Sequence, residues 1–404
     1  MKKIKYNNKK NKGEINCMRK LLIIVPSISY LGGLESVANT TVNVLKDNYD
    51  ISLVYFYKTE NELAIDENIK KICLDTPYSN NLLTQITTMF KRTKLLKKFK
   101  KNNNINISLS IGKTASISNA LSKCNDKILT SIHSSGDISN NFIMKKLDKY
   151  IYNKSVKIIC VCKGLANELK NTIKINDKKI YVLYNPFDIS TIQDKSAEFC
   201  NEIKGTPALF SFGRIDKWKN YEMQIYALEK LLRTYPNAVL NILGDGDNKE
   251  NLRTLANKLN LTKNVNFISK TTNPFKYLQK SDVFISTSQF EGFCNTIVEA
   301  FICKIPVIST DCKVGPRENI APNSSIFDTA NNVEFHENGI LIPTMYDNDS
   351  TEEKNKKINI LCTAITSLLK DKDLQKKYKN NGYKRAIELD ISNYKKEIIK
   401  ILEN

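Results

Sequence analysis

The sequence predicts an α/β protein made of two doubly wound parallel-sheet domains facing each other across a cleft. Three observations predict it. Short β-branched runs alternate with helical segments through the first half, and the same alternation restarts after the polar stretch 189–205. Glycines with charged neighbours fall just past the strand ends, where open parallel sheets bind ligands. The length, 404 residues, suits two cores of ordinary size better than one.

The elements follow in order. A first strand is expected at Leu21 to Pro26, then a helix from about Glu35 to Leu45, a strand at Ile51 to Tyr57 and a long helix near Leu82 to Lys101. Strands at Ile105 to Ser110, Ile128 to Ile132 and Lys157 to Val161, with a helix after Thr114, complete the first domain. In the second, strands are expected at Ala208 to Phe212, Ala238 to Leu243, Val265 to Ile268, Val283 to Thr287 and Pro306 to Thr310. The segment from about Asp371 to Asn404 is charged and helical. Residues 18–188 form the expected first domain, 189–385 the second, and 386–404 a final helix; 1–17, polar and basic without periodicity, reads as a disordered tail or an extension upstream of the functional start.

An apolar fraction of 41% supports globular folding throughout. The run Leu21 to Val25 is too short to span a bilayer and no small-residue cleavage site follows it, so the expected location is cytoplasmic. Ten cysteines without a C-x-x-C pair read as reduced, mostly buried thiols. Charge is uneven. Residues 1–188 hold 32 Lys and Arg against 15 Asp and Glu, a net +17, whereas residues 189–404 hold 30 against 27, a net +3.

The stretch Asp282 to Glu318 reads as a strand, a loop, a helix and a second strand. Its loop carries Glu291 and its helix Glu299, while Gly292 allows close backbone approach. Free N–H groups at Asn295, Thr296 and Ile297 suit an anion, and a carboxylate one turn on suits sugar hydroxyls. The unit therefore fits a ligand with both phosphate and hydroxyls. Gly32 and Gly33, between a strand and a helix, would let amides approach such a ligand, or serve as a tight connection; no third glycine makes a dinucleotide fingerprint. His133 ends a strand among Ser131, Ser134 and Ser135, placed to donate to a hydroxyl or phosphate or to accept a proton.

Arg214 and Lys219, after Gly213, follow another strand and are expected to converge on a diphosphate, with Asp216 orienting their loop. Asp245 and Asp247 invite a metal reading, but a Gly-Asp-Gly turn is ordinary turn chemistry and the two cations already supply positive charge, so no metal is expected. In the segment 82–101, Leu82, Ile86, Met89, Leu96 and Phe99 recur at helical spacing among Lys91, Arg92, Lys94, Lys97, Lys98, Lys100 and Lys101. Such a helix suits an anionic membrane surface, or is a packed helix with a solvated basic face. Nucleic acid is not expected, because no recognition motif accompanies the charge.

Gly32-Gly33, Gly213-Arg214 with Lys219, Gly244-Asp245-Gly246, and Glu291 with Glu299 as E-x7-E together resemble glycosyltransferase family 4, from about Arg19 to the last helix. Cys294 and Asn319 depart from the usual pattern. The resemblance implies the GT-B fold, two Rossmann-like domains with the last helix packing back toward the first. It implies a retaining transfer of a hexose or N-acetylhexosamine from a nucleotide sugar, UDP-linked, to a lipid-linked or polysaccharide acceptor in surface glycan synthesis. In that reading Arg214 and Lys219 neutralise the diphosphate, Glu299 binds the ribose and Glu291 the donor sugar. Phe293, Cys294, Asn295 and Thr296 line the donor, Gly33 faces the diphosphate from the other domain, and His133 lies near the sugar. The first domain would receive the acceptor, on the inner face of the cell membrane. A nucleotide-sugar epimerase of the same fold and a non-catalytic binding module are the alternatives.

Overall fold

The computed structural model describes residues 18–29, 33–59, 62–76, 79, 81–139 and 141–404. The expected tail 1–17 and Gly32 lie outside the described residues.

The first sheet contains β1 (Lys20–Val25), β2 (Asp50–Tyr55), β3 (Lys70–Cys73), β4 (Ile107–Ile111), β5 (Lys127–Ile132), β6 (Lys157–Cys160) and β7 (Ile180–Val182). Its order is β3-β2-β1-β4-β5-β6-β7, with every neighbour parallel. Helices α1 (Gly33–Leu45), α2 (Leu82–Asn103), α3 (Lys113–Leu121), α4 (Phe142–Lys154) and α5 (Lys163–Ile173) connect these strands. Central β1 is apolar from Leu21 to Val25 because both faces of a doubly wound sheet are covered. The edge strands β3 and β7 escaped the sequence reading. They are short, and β3 opens on two exposed lysines, so neither has the apolar run that marks a central strand.

Helix α6 (Ile189–Ser196) leads into the second unit: β8 (Ala208–Phe212), α7 (Tyr221–Leu231), β9 (Val239–Leu243), α8 (Lys249–Lys258), β10 (Val265–Ile268), α9 (Phe275–Leu278), β11 (Val283–Ser286), α10 (Asn295–Ile302), β12 (Val307–Thr310), α11 (Pro316–Ile320), β13 (Glu334–Phe335), β14 (Ile340–Ile342), α12 (Thr351–Lys370), α13 (Lys372–Glu388) and α14 (Ile391–Glu403). The sheet order is β10-β9-β8-β11-β12-β14-β13, parallel except for the edge pair β13 and β14. One face is covered by α7, α8 and α12, the other by α6, α9, α10 and α13. Gly382 lets α13 settle on α10, since a Cβ there would lie 2.5 Å from the Phe301 ring.

The chain then crosses back. Phe187 N donates to Leu389 O at 3.1 Å and Ile391 N to Phe187 O at 3.0 Å, tying the crossing to the connection between β7 and α6. Helix α14 packs on α1, with Tyr394 and Thr41 hydroxyls 2.9 Å apart and Arg19 paired to Glu403 at 2.6 Å.

Helix α2 corrects one expectation. Two of the cations assigned to its solvated face are buried, and Ile86, assigned to its packed stripe, is exposed. Lys100 Nζ lies 2.8 Å from Asp126 Oδ2 and donates to Asn119 Oδ1 at 2.6 Å. Arg92 donates to Thr76 and sits 4.6 Å over the Phe56 ring. The second half of the helix carries the packing, through Leu96 and Phe99. Its first half turns Leu83, Ile86 and Phe90 outward.

Candidate functional site

The site lies where the carboxyl ends of the two sheets meet. After β8 the chain turns at Gly213, whose φ of +145° disfavours a side chain. Asp216 shapes the next residues: its Oδ1 accepts from Lys219 N at 3.1 Å, closing the turn 217–219. That turn swings Lys219 Nζ to within 2.6 Å of Glu291 Oε1, in the loop after β11. Burial works against the charge on Lys219, and the Glu291 carboxylate overrides it, holding the ammonium above its ordinary range.

Arg214 does not join this pair. Its guanidinium is 77% exposed and Nε donates to Asp216 Oδ2 at 2.7 Å. The expected convergence of Arg214 and Lys219 is therefore absent here, because Asp216 binds both the turn and the guanidinium. The Gly-Asp-Gly turn after β9 is a brace: a Cβ on Gly244 would lie 2.0 Å from Gly213 O, and Asp245 O accepts from Ile215 N at 2.8 Å. Among the described residues no group of three or more His, Cys, Asp or Glu is placed to hold a metal ion.

Helix α10 starts at Asn295 without a side-chain cap, after Cys294 in the left-handed region at φ 61°. One turn on, the Glu299 carboxylate has no hydrogen-bond partner among the described residues. Burial raises it to about 7, with Lys219 pulling the other way. Lys219, Glu291, Glu299 and the uncapped turn thus leave hydroxyl acceptors, a fixed cation and the N–H groups of Asn295 and Thr296 for a ligand. The N–H of Ile297, expected to be free, instead donates to Cys294 O at 3.1 Å, because the backbone turn at Cys294 brings that carbonyl over it. Cys294 is buried, its thiol pushed up to about 12 by burial, and packs near Ser286 and Thr296. Phe293 is buried beside Tyr184 at 5.2 Å between ring centroids, and its carbonyl accepts from Asn319 Nδ2 at 2.8 Å. The asparagine that departs from the family pattern thus braces the loop after β11.

From the first domain, His133 follows β5. Burial lowers it to about 4, so the ring is neutral near neutral pH, and Nε2 lies 2.8 Å from Ser131 Oγ. Its backbone N donates to buried Asp137 at 2.8 Å. Gly292 packs against the His133 peptide: a Cβ there would lie 1.8 Å from His133 O. Gly33 faces Asn295, whose Nδ2 would lie 3.5 Å from a Cβ on Gly33.

Sequence reasoning missed the contacts that join the domains. Glu318 accepts from Lys163 N and Gly164 N, each at 2.8 Å, capping α5 of the other sheet. Tyr184 OH donates to the same carboxylate at 3.2 Å, and Arg385 lies 5.1 Å over the Tyr184 ring. Asn185 Nδ2 donates to Asn295 Oδ1 and Cys162 Sγ to Gly292 O. No local pattern marks these residues, because each acts on a partner distant in sequence.

Residues 31–191 match the family model described as Glycosyltransferase Family 4, and residues 193–385 that described as Glycosyl transferases group 1. The chain is 34% identical over 259 residues to an uncharacterized glycosyltransferase of Methanocaldococcus jannaschii, covering 62% of this chain and 64% of that protein. It is 31% identical over 263 residues to the N-acetylgalactosamine-N,N'-diacetylbacillosaminyl-diphospho-undecaprenol 4-alpha-N-acetylgalactosaminyltransferase of Campylobacter jejuni, covering 65% and 64%. Both matches span less than two thirds of the relative's length. In fold the chain is similar to Anabaena HepE in complex with UDP, at TM-score 0.70 and 17% identity over 95% of this chain and 99% of that one. With the two models matched in tandem and two parallel sheets meeting at the site, this chain belongs to glycosyltransferase family 4 and has the GT-B fold.

Proposed function

We propose that the chain is a retaining glycosyltransferase that moves a hexose or N-acetylhexosamine from a UDP-linked sugar to a lipid-linked or polysaccharide acceptor in surface glycan synthesis. One observation carries the reading: Lys219 is held charged against Glu291, with unpartnered Glu299 near it at the uncapped start of α10. Glu299 accepts from the ribose hydroxyls, Glu291 from those of the donor sugar, and the α10 amides with Gly33 face the diphosphate. Departure of the nucleoside diphosphate builds negative charge, which preorganised cations stabilise. Lys219 supplies one such charge, and Arg214 reaches the diphosphate by exchanging Asp216 for it. The reading needs no metal, since these cations take that role. The leaving phosphate takes the acceptor's proton, so neutral His133 serves as a hydrogen-bond donor to the donor sugar, with no dedicated base.

The Campylobacter relative's name specifies a sugar-bearing diphospho-undecaprenol acceptor, which supports a lipid-linked acceptor here. Exposed apolar residues on α2 and α4 support an anionic membrane surface as the place where the first domain meets it. The experiment is a panel of UDP- and GDP-sugars assayed for nucleotide release with lipid-linked acceptors, the product anomer being read by NMR. Release from a UDP-sugar with retained configuration is expected, with a loss of at least about 100-fold in Lys219→Ala. Inversion, or full activity in that variant, overturns the reading.

A further inference from the structure

Trp218, Phe290 and Tyr346 surround the outer edge of the site without entering its ion-paired centre. They follow β8, β11 and β14, so all stand at the carboxyl ends of parallel strands. The Trp218 and Phe290 rings meet edge to face at 5.2 Å, and Phe290 and Tyr346 at 6.2 Å. Trp218 is 52% and Phe290 54% exposed. The two loops are tied together, Gln289 N donating to Trp218 O at 2.8 Å. Trp218 immediately precedes Lys219, and Phe290 immediately precedes Glu291, so the rings and the ion pair share the same two backbone segments. A polar border completes the surface: Lys217 Nζ lies 2.7 Å from Asp347 Oδ2, and Gln289 Nε2 donates to Asp347 Oδ1 at 3.1 Å.

Exposed aromatic rings bordered by a carboxylate, an amide and an ammonium match the two-sided chemistry of a pyranose. Its C–H face lies on a ring, and its hydroxyls reach the polar border. A purely apolar chain would make no use of that border and would take its exposed polar groups out of water uncompensated. A nucleobase would also stack, but Tyr346 lies toward α12, with Lys357 Nζ 5.8 Å from its ring, whereas Glu299 lies on α10, which covers the opposite face of the sheet. We propose that Trp218, Phe290 and Tyr346 form a subsite for a sugar ring of the acceptor, so that the acceptor presented to the donor is already a glycan. This rests on the reading that Lys219 and Glu291 hold a donor sugar.

Trp218 is the only tryptophan of the chain, so its fluorescence reports this surface alone. The full chain is titrated with trisaccharides built from hexoses and from N-acetylhexosamines, with UDP, and with anionic vesicles. A saturable emission change with at least one trisaccharide is expected, weakened about tenfold in Phe290→Leu, which keeps volume and removes the ring. Nucleotide release in Phe290→Leu should show a raised KM for a glycan-bearing acceptor, with hydrolysis of donor alone unchanged. The subsite is overturned if no trisaccharide changes the emission, or if UDP or vesicles alone produce the whole change. It is also overturned if Phe290→Leu leaves both glycan affinity and acceptor KM unaltered. If the wild type binds a trisaccharide there yet releases nucleotide from no donor, the donor reading fails while the glycan site stands.

Discussion

Single side chains decide how this site responds to pH. Glu299 is pushed up to about 7 by burial, from an ordinary 4.5. A carboxyl raised in the folded state contributes stability that is full below 4.5 and is lost as pH rises through about 7. Ligand-free Glu299→Gln, which cannot ionise, should therefore unfold at a higher temperature than the wild type above pH 7, with the difference closing toward pH 4.5. Binding runs in the opposite sense. An ionised carboxylate accepts from both ribose hydroxyls and more strongly than a neutral group, so wild-type affinity for a nucleotide sugar should rise through pH 7, and Glu299→Gln should bind more weakly and without that slope. Calorimetric titration across the range checks both parts; a flat wild-type profile would remove Glu299 from the donor site. The placement of Glu291 in a loop and Glu299 on the helix that follows was legible from the strand, loop and helix pattern around E-x7-E. Capture of the Arg214 guanidinium by Asp216 was not, since rotamer choice in an exposed loop leaves no trace in spacing.

Elements locate the proposed membrane face differently from the charge pattern. Counting lysines along 82–101 points to the whole basic face of α2, yet Lys100 is consumed by Asp126 and Arg92 by Thr76 and Phe56. Burial tends to discharge Lys100, and the paired Asp126 opposes it. Lys91, Lys94, Lys97, Lys98 and Lys101 do reach solvent, but apolar side chains reach it with them: Leu83, Ile86 and Phe90 on α2, and Phe142, Ile143, Met144 and Leu147 on α4 beside Lys145, Lys146 and Lys149. Phe142 is 71% and Ile143 74% exposed. Both helices return against parallel strands, and contacts through α3 place them in one layer, so their first turns lie toward the cleft. Insertion of these side chains between anionic headgroups is the expected mode. Phe142→Asp with Ile143→Asp should cut sedimentation with anionic vesicles at least about tenfold, more than charge reversal of Lys97 and Lys98. Equal or smaller loss in the aspartate variant would return the weight to α2 charge.

The whole molecule is held closed by contacts that neither domain makes alone. Glu318 caps α5 across the gap through two charge-assisted hydrogen bonds, and Gly292 rests on the His133 peptide. Removing the carboxylate in Glu318→Ala leaves two helix N–H groups without their acceptor, at about 1.5–3 kcal/mol each. The expected result is a larger radius of gyration by small-angle scattering for the ligand-free variant, and a raised KM for the donor with kcat less affected. An unchanged radius and KM would show that α5 docking does not control closure. Much of this architecture could be read from local pattern: alternating apolar strands and amphipathic helices specify parallel sheets, and turn glycines beside charged residues mark the carboxyl ends of the strands. Those signals are short-range, because backbone sterics and burial period act within a few residues. The edge strands, the inward turn of Lys100 and Arg92, the aromatic platform and the Glu318 clamp emerged only with the folded chain. Each depends on a partner brought near by packing, and solvation of a side chain is set by those neighbours rather than by its own sequence position.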